Sequence, residues 1–181
     1  LFFALFTLGS SARADDDATP KHVREAFVAA MAAVTASPSP PAGSDSEALQ
    51  RYPLYPYLQA ARLSRHLALV RPVTTQPGGD PRLPLDDEIA AFLAQQGDRP
   101  VTRKLRSAWL AHLAERQAWP TYLAQYREDR DTQSTLRCHW LAARVALGQT
   151  DGLEAELTDT WGTAGSLPDA CDPALAWWRA R

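Results

Sequence analysis

Four histidines, His22, His66, His112 and His139, are the first side chains here that could hold a metal or move a proton near neutral pH. No two of them stand at the i, i+4 or short-loop spacing that puts paired ligands on one element, so the pattern implies no metal site. His112 and His139 fall among apolar residues on helical patterns and read as packed or surface side chains. Ser64, Ser107 and Ser134 lack the G-x-S-x-G elbow of a hydrolase nucleophile. Gly78-Gly79 is not followed by the Lys-Ser/Thr of a phosphate loop, so neither nucleotide binding nor any other cofactor is implied. Glycoside chemistry needs a carboxylic acid with a raised pKa beside a sugar cleft. Glu115 and Glu128 are the candidates on dense helices, but Glu115-Arg116-Gln117 and Arg127-Glu128-Asp129 read as solvated faces. No catalytic residue is assigned.

Aromatic side chains could stack on sugar rings, and six tryptophans are many for 181 residues. Trp109, Trp140, Trp161, Trp177 and Trp178 lie within helical patterns, where large aromatics fill the seams between helices. That favours core packing over a binding platform. The two cysteines, Cys138 and Cys171, read as a disulfide in an exported chain and as two buried thiols in a cytosolic one.

The ends of the sequence bear on that choice. Leu1 to Leu8 is an apolar run, followed by small residues and Ala12-Arg13-Ala14, which fits the A-x-A cleavage pattern of a secretory signal peptide. The expectation is therefore a partial signal peptide over 1–14, an exported chain starting at Asp15, and no Cys nearby to carry a lipid anchor. The run is also shorter than the roughly 20 apolar residues that span a bilayer, so no membrane anchor is expected. The helical pattern Ala174 to Arg181 stops without a cap, which reads as a chain cut at its C-terminus. With 22% charged residues and a net charge of -2, no excess of either sign points to nucleic acid.

The elements that must position these residues are helices. Val23, Phe27, Ala30, Met31 and Val34 recur at helical spacing, and Ser37 to Ser44 breaks that helix with Pro38, Pro40 and Pro41. A short helix is expected from Asp45 to Gln50. Tyr52 to Leu58 is a compact aromatic and proline segment leading into a helix over Gln59 to Val70, and Arg71 to Pro84 is a second breaker. From Asp86 the helical signal is dense, through Ile89, Phe92 and Leu93, then Leu105, Trp109 and Leu113, then Tyr122 and Tyr126. No period-2 run is long enough for a strand. Sliding Leu105 to Tyr126 by 31 residues places Leu105, Arg106, Trp109, Leu110 and Ala111 on Leu136, Arg137, Trp140, Leu141 and Ala142. Two such hairpins, with the second turn at Gly148 to Gly152, would each leave an apolar face for a neighbour to cover. The fold class expected is all-α, a solenoid-like stack of helical hairpins forming an α-superhelix, with a helix and Pro-rich spacer over 15–44 and the helical region over 45–181.

Tyr52-Pro53-Leu54-Tyr55-Pro56-Tyr57-Leu58 resembles the YPLYPYL motif of the soluble lytic murein transglycosylases. Ala170-Cys171-Asp172 with Trp178 resembles the segment carrying that family's second cysteine, and Cys138, Gly148 and Gln149 fall at similar spacing to family positions. The resemblance covers most of residues 45–181. Ser37 to Gly43 and Pro77 to Pro84 depart from it.

The resemblance implies a periplasmic enzyme whose long N-terminal part is a curved or ring-forming superhelix, with a lysozyme-like domain far downstream. In such enzymes one glutamate acts as acid and then base while the muramyl 6-hydroxyl attacks the anomeric carbon, giving a 1,6-anhydro product. The family's Glu-Ser motif has no counterpart in these 181 residues. The partners implied are peptidoglycan glycan strands, reached through the whole protein, and the downstream catalytic domain. With an export signal, an even count and family-like positions, Cys138 and Cys171 are expected to pair, and Tyr52, Tyr55 and Tyr57 to pack between helices behind Pro53 and Pro56. The competing functions are a helical-repeat module that binds another protein through a concave face, and a carbohydrate-binding domain with several tryptophans facing solvent on one surface.

Overall fold

The computed structural model describes residues 21–36, 45–71, 82–163 and 166–181. The expected signal peptide, the Pro-rich spacer at 37–44 and most of the breaker at 71–84 fall outside these residues.

Proline sets where many of the helices begin. A ring in the first turn has no N–H to leave unsatisfied and already holds a helical φ, which suits it to a helix start. Pro56, Pro84, Pro100, Pro120 and Pro173 occupy the first turns of α3 (Tyr55–Leu69), α4 (Pro84–Gln96), α5 (Pro100–Glu115), α6 (Trp119–Gln125) and α9 (Asp172–Arg179). The others are α1 (Lys21–Ala36), α2 (Glu47–Gln50), α7 (Ser134–Ala146) and α8 (Leu153–Thr163), and a 3-10 turn spans Asp169–Cys171. No strand occurs among the described residues. The protein is all-α.

The odd-numbered helices form a continuous row, α1 on α3, α3 on α5, α5 on α7 and α7 on α9. Helix α4 packs on α3 and α5, α6 on α5 and α7, and α8 on α7 and α9. Three apolar clusters follow the row. Val34, Leu49 and Leu58 join α1 to α3; Ile89, Leu105, Trp109, Leu113 and Tyr122 lie at the centre; Leu141, Leu153, Leu157 and Ala174 join α7 to α9. A fully buried Leu or Ile contributes roughly 1.5–3 kcal/mol against exposure, so the central cluster dominates cohesion.

The 31-residue offset seen in the sequence recurs in the structure. Leu105 and Leu136 are both buried, as are Leu110 and Leu141, Tyr122 and Leu153, and Tyr126 and Leu157. Helix α5 ends at Glu115 and α7 at Ala146, one offset apart. The turn that follows places Gln117 at φ 57° and Gly148 at φ 69°, again one offset apart. Left-handed backbone is costless for Gly148 and strained for Gln117. A side-chain clamp repeats as well: Arg106 donates to the carbonyl of Gln125, and Arg137 to the carboxylate of Glu156 at the same separation. Trp109 and Trp140 differ, the first wholly buried and the second partly.

Candidate functional site

The Tyr-Pro segment builds a joint between the first three helices. Tyr52 packs edge-on against Phe27 of α1, with ring centroids 5.1 Å apart. The Tyr55 hydroxyl donates to Oδ2 of Asp45 at 2.8 Å, and Arg62, two turns along α3, donates to both oxygens of the same carboxylate. The Arg62 hydrogen bonds hold the Asp45 carboxyl below its ordinary range, outweighing the opposing effect of burial, and the Tyr55 hydrogen bond acts in the same direction. Burial, with Asp45 beside it, pushes the Tyr55 phenol up. Tyr57 does not pack between helices as expected: it is 45% exposed. The reason is helical periodicity, because Tyr55, Leu58 and Arg62 share the inner side of α3 and position 57 falls on the outer one.

A second cluster lies at the centre of the molecule. Asp86 stands three residues after Leu83, and its carboxylate accepts the Leu83 N–H at 2.7 Å across the first turn of α4. The same carboxylate accepts from Trp109 Nε1 at 2.8 Å and from Arg116 Nη2 at 2.8 and 3.1 Å. Both charged side chains are almost fully enclosed, at 1% and 2% exposure. Arg116 belongs to a stretch whose sequence pattern is that of a solvated face, yet it is buried while its neighbour Glu115 is exposed. The cluster ties α4 to the far end of α5 and leaves no carboxylate oxygen facing a cleft.

Among the described residues the other buried carboxylate, Asp131, is held in a comparable way. Arg106 Nε and Nη2 each approach it at 2.8 Å, and the Arg127 N–H adds a bond of 2.7 Å. Above this pair lies a groove of about 540 Å³ between the end of α4, the first turns of α5 and the loop before α7. Its floor is Arg106 and Asp131, its apolar wall Leu93, and its rim carries Asp98, Arg103, Asp129 and Gln133. A smaller groove of about 370 Å³ runs past Trp119, His139 and Pro173. Burial holds the His139 imidazole below its ordinary pKa, with Glu115 acting weakly in the opposite direction.

Cys138 of α7 and Cys171 of the 3-10 turn are joined by a disulfide with Cα atoms 4.5 Å apart, and both residues are fully buried. The tryptophans are not uniformly core residues. Trp161 is 55% exposed, at the end of α8, with Trp178 edge-on at 6.4 Å. Its position on the outer side of the last described turn of α8 explains the departure from core packing. Among the described residues no group of His, Cys, Asp and Glu could hold a metal ion, and no helix is long and apolar enough to cross a membrane.

These features define a class: an all-helical protein of consecutive hairpins, jointed by a Tyr-Pro segment and closed at one end by a disulfide. The comparisons with known proteins sharpen it. Over 132 residues the chain is 29% identical to the soluble lytic murein transglycosylase of Salmonella typhimurium and 27% identical to that of Escherichia coli K12. The protein of the same name from Escherichia coli O157:H7 is also 27% identical. The similarity covers 73% of this chain and 18% of each relative. It supports the relationship that the Tyr52 to Leu58 motif pointed to. No family model and no solved structure matches.

Proposed function

We propose that this chain is the N-terminal helical region of a periplasmic lytic murein transglycosylase, and that cleavage of the glycan strand belongs to a domain outside these residues. The observation that carries the reading is the 132-residue similarity, which spans most of this chain and under a fifth of the relatives' length. The hairpins extend into a curved superhelix, in which the 31-residue offset and the row of odd-numbered helices are the repeating unit. The region is structural, shaping the enzyme around the strand. The site chemistry agrees: Asp86 and Asp131 are committed to arginines, while Glu115 and Glu128 are exposed, so none of the four is an acid set in an apolar pocket. Export through a signal peptide over 1–14 would place the protein where Cys138 and Cys171 oxidise.

The test is the chemistry of the products. The whole protein, incubated with purified murein sacculi, is expected to release muropeptides ending in 1,6-anhydromuramyl residues, read by mass spectrometry. Products with hydrated reducing ends, or no soluble products, would overturn the reading.

A further inference from the structure

We propose that the groove above Arg106 and Asp131 is a sugar-binding subsite, taking one unit of a neutral N-acetylated glycan strand. The choice of sugar rests on the function proposed above; the polyhydroxylated class rests on the groove itself.

The floor is rigid and already satisfied. Asp131 is 2% exposed and holds Arg106 through both oxygens, and the Thr102 hydroxyl shares its one proton between the carbonyls of Arg99 at 2.8 Å and Gly97 at 3.1 Å. A ligand therefore meets a preformed surface, which spares it the cost of ordering the site.

The rim offers the unsatisfied chemistry. Arg103 is exposed on the rim and makes no hydrogen bond or ion pair with the described residues, so its guanidinium has donors to give. Asp98 and Asp129 flank Arg130 at 2.9 and 3.7 Å and remain 67% and 77% exposed, leaving carboxylate oxygens that can accept. Gln133 donates to the Ser107 hydroxyl at 3.0 Å, which leaves its amide oxygen and the hydroxyl proton for a ligand.

The balance of these groups selects the ligand. Three arginines and three aspartates line the groove, so its formal charge cancels and neither an anion nor a cation is favoured. An apolar ligand would leave the rim donors and acceptors unpaired, which is costly. A neutral molecule whose hydroxyls both donate and accept matches the rim, and Leu93 offers contact to a C–H face. A volume of about 540 Å³ suits one substituted pyranose with its neighbours running out along the groove.

The experiment titrates the full 181-residue chain with the tetramer of N-acetylglucosamine, observed by amide chemical shifts, with maltotetraose as the comparison sugar. Saturable shifts centred on Thr102, Ser107 and Thr132 are expected, with weaker binding of maltotetraose. Arg103→Ala and Gln133→Leu, both at exposed positions, should each weaken binding about threefold to tenfold, the ratio for one lost hydrogen bond, without changing the thermal midpoint. Absence of saturable shifts, shifts centred on Trp161 and Trp178, or affinities unmoved by both variants would overturn the subsite, and equal binding of maltotetraose would overturn its selectivity. Should the tetramer bind here while the whole protein releases no anhydro products, the enzyme reading fails and the sugar site stands. The converse result sinks the subsite alone.

Discussion

Replacing Asp86 should be among the most damaging single changes in this protein. Its carboxylate receives the Leu83 N–H, the Trp109 indole N–H and the Arg116 guanidinium, all behind surface that exposes only 1–2% of the ion pair. Asp86→Ala takes away the carboxylate that the buried Arg116 guanidinium pairs with, for which the expected loss is about 3–5 kcal/mol. That is a large share of a typical domain stability of about 5–15 kcal/mol. Asp86→Asn keeps the shape and one acceptor, and should lose about 1.5–3 kcal/mol, the worth of a charge-assisted hydrogen bond. At about 2–4 °C per kcal/mol for a chain of this size, the Asn variant should melt roughly 3–12 °C lower. Adding Arg116→Met to Asp86→Ala removes the buried charge that has lost its carboxylate, so the double variant should be more stable than Asp86→Ala alone. Urea unfolding followed by far-UV circular dichroism measures all three. A cost under about 1 kcal/mol for Asp86→Ala, or two changes that simply add, would rule out a coupled buried network at Asp86, because groups in such a network are not additive.

Three further outcomes follow from the remaining clusters. Replacing both Cys138 and Cys171 by Ala should cost about 3–4 kcal/mol, from releasing a loop with a sequence separation of 33, and an unchanged urea midpoint would contradict this. Asp45 titrates below its ordinary range because Arg62 hydrogen-bonds it. Its contribution is thus complete above the unfolded value of about 3.9 and is lost as pH falls through the lower folded value. Asp45→Asn should therefore destabilise the protein at pH 7 and much less at pH 2, and equal losses at the two pH values would count against the assignment. His139 is held low by burial, so stability should decline as pH drops below its unfolded value of about 6.5 and through the lower folded one. His139→Gln should flatten that decline in melting curves taken across pH 5 to 8; an identical slope would show that another group carries it.

The helices were legible in the sequence because each is governed by local spacing. Val23 to Val34 recur every third or fourth residue, and α1 runs over that stretch. The prolines were legible as boundaries, though Pro56 and Pro84 start helices as well as ending the segments before them. The 31-residue offset was visible as paired residues; what the sequence lacked was the matching burial of Tyr122 with Leu153 and Tyr126 with Leu157, where residue types differ. The Asp86 cluster was not legible. An Asp shortly after a proline at a helix start signals a cap, but nothing local indicates that Arg116, 30 residues away, lies against it. Glu115-Arg116-Gln117 has the composition of a solvated turn, and only the tertiary fold decides which of the three turns inward. The 540 Å³ groove was hidden for the same reason, since its walls come from α4, α5 and the loop before α7.

The proposal that this chain is the non-catalytic helical region of a murein-cleaving enzyme can be checked by one paired digestion. Purified sacculi are treated in parallel with the whole protein and with the 181-residue chain alone, and soluble products are analysed by mass spectrometry. 1,6-Anhydromuropeptides are expected from the whole protein and none from the chain. Anhydromuropeptides released by the chain alone, or none released by the whole protein, would contradict it.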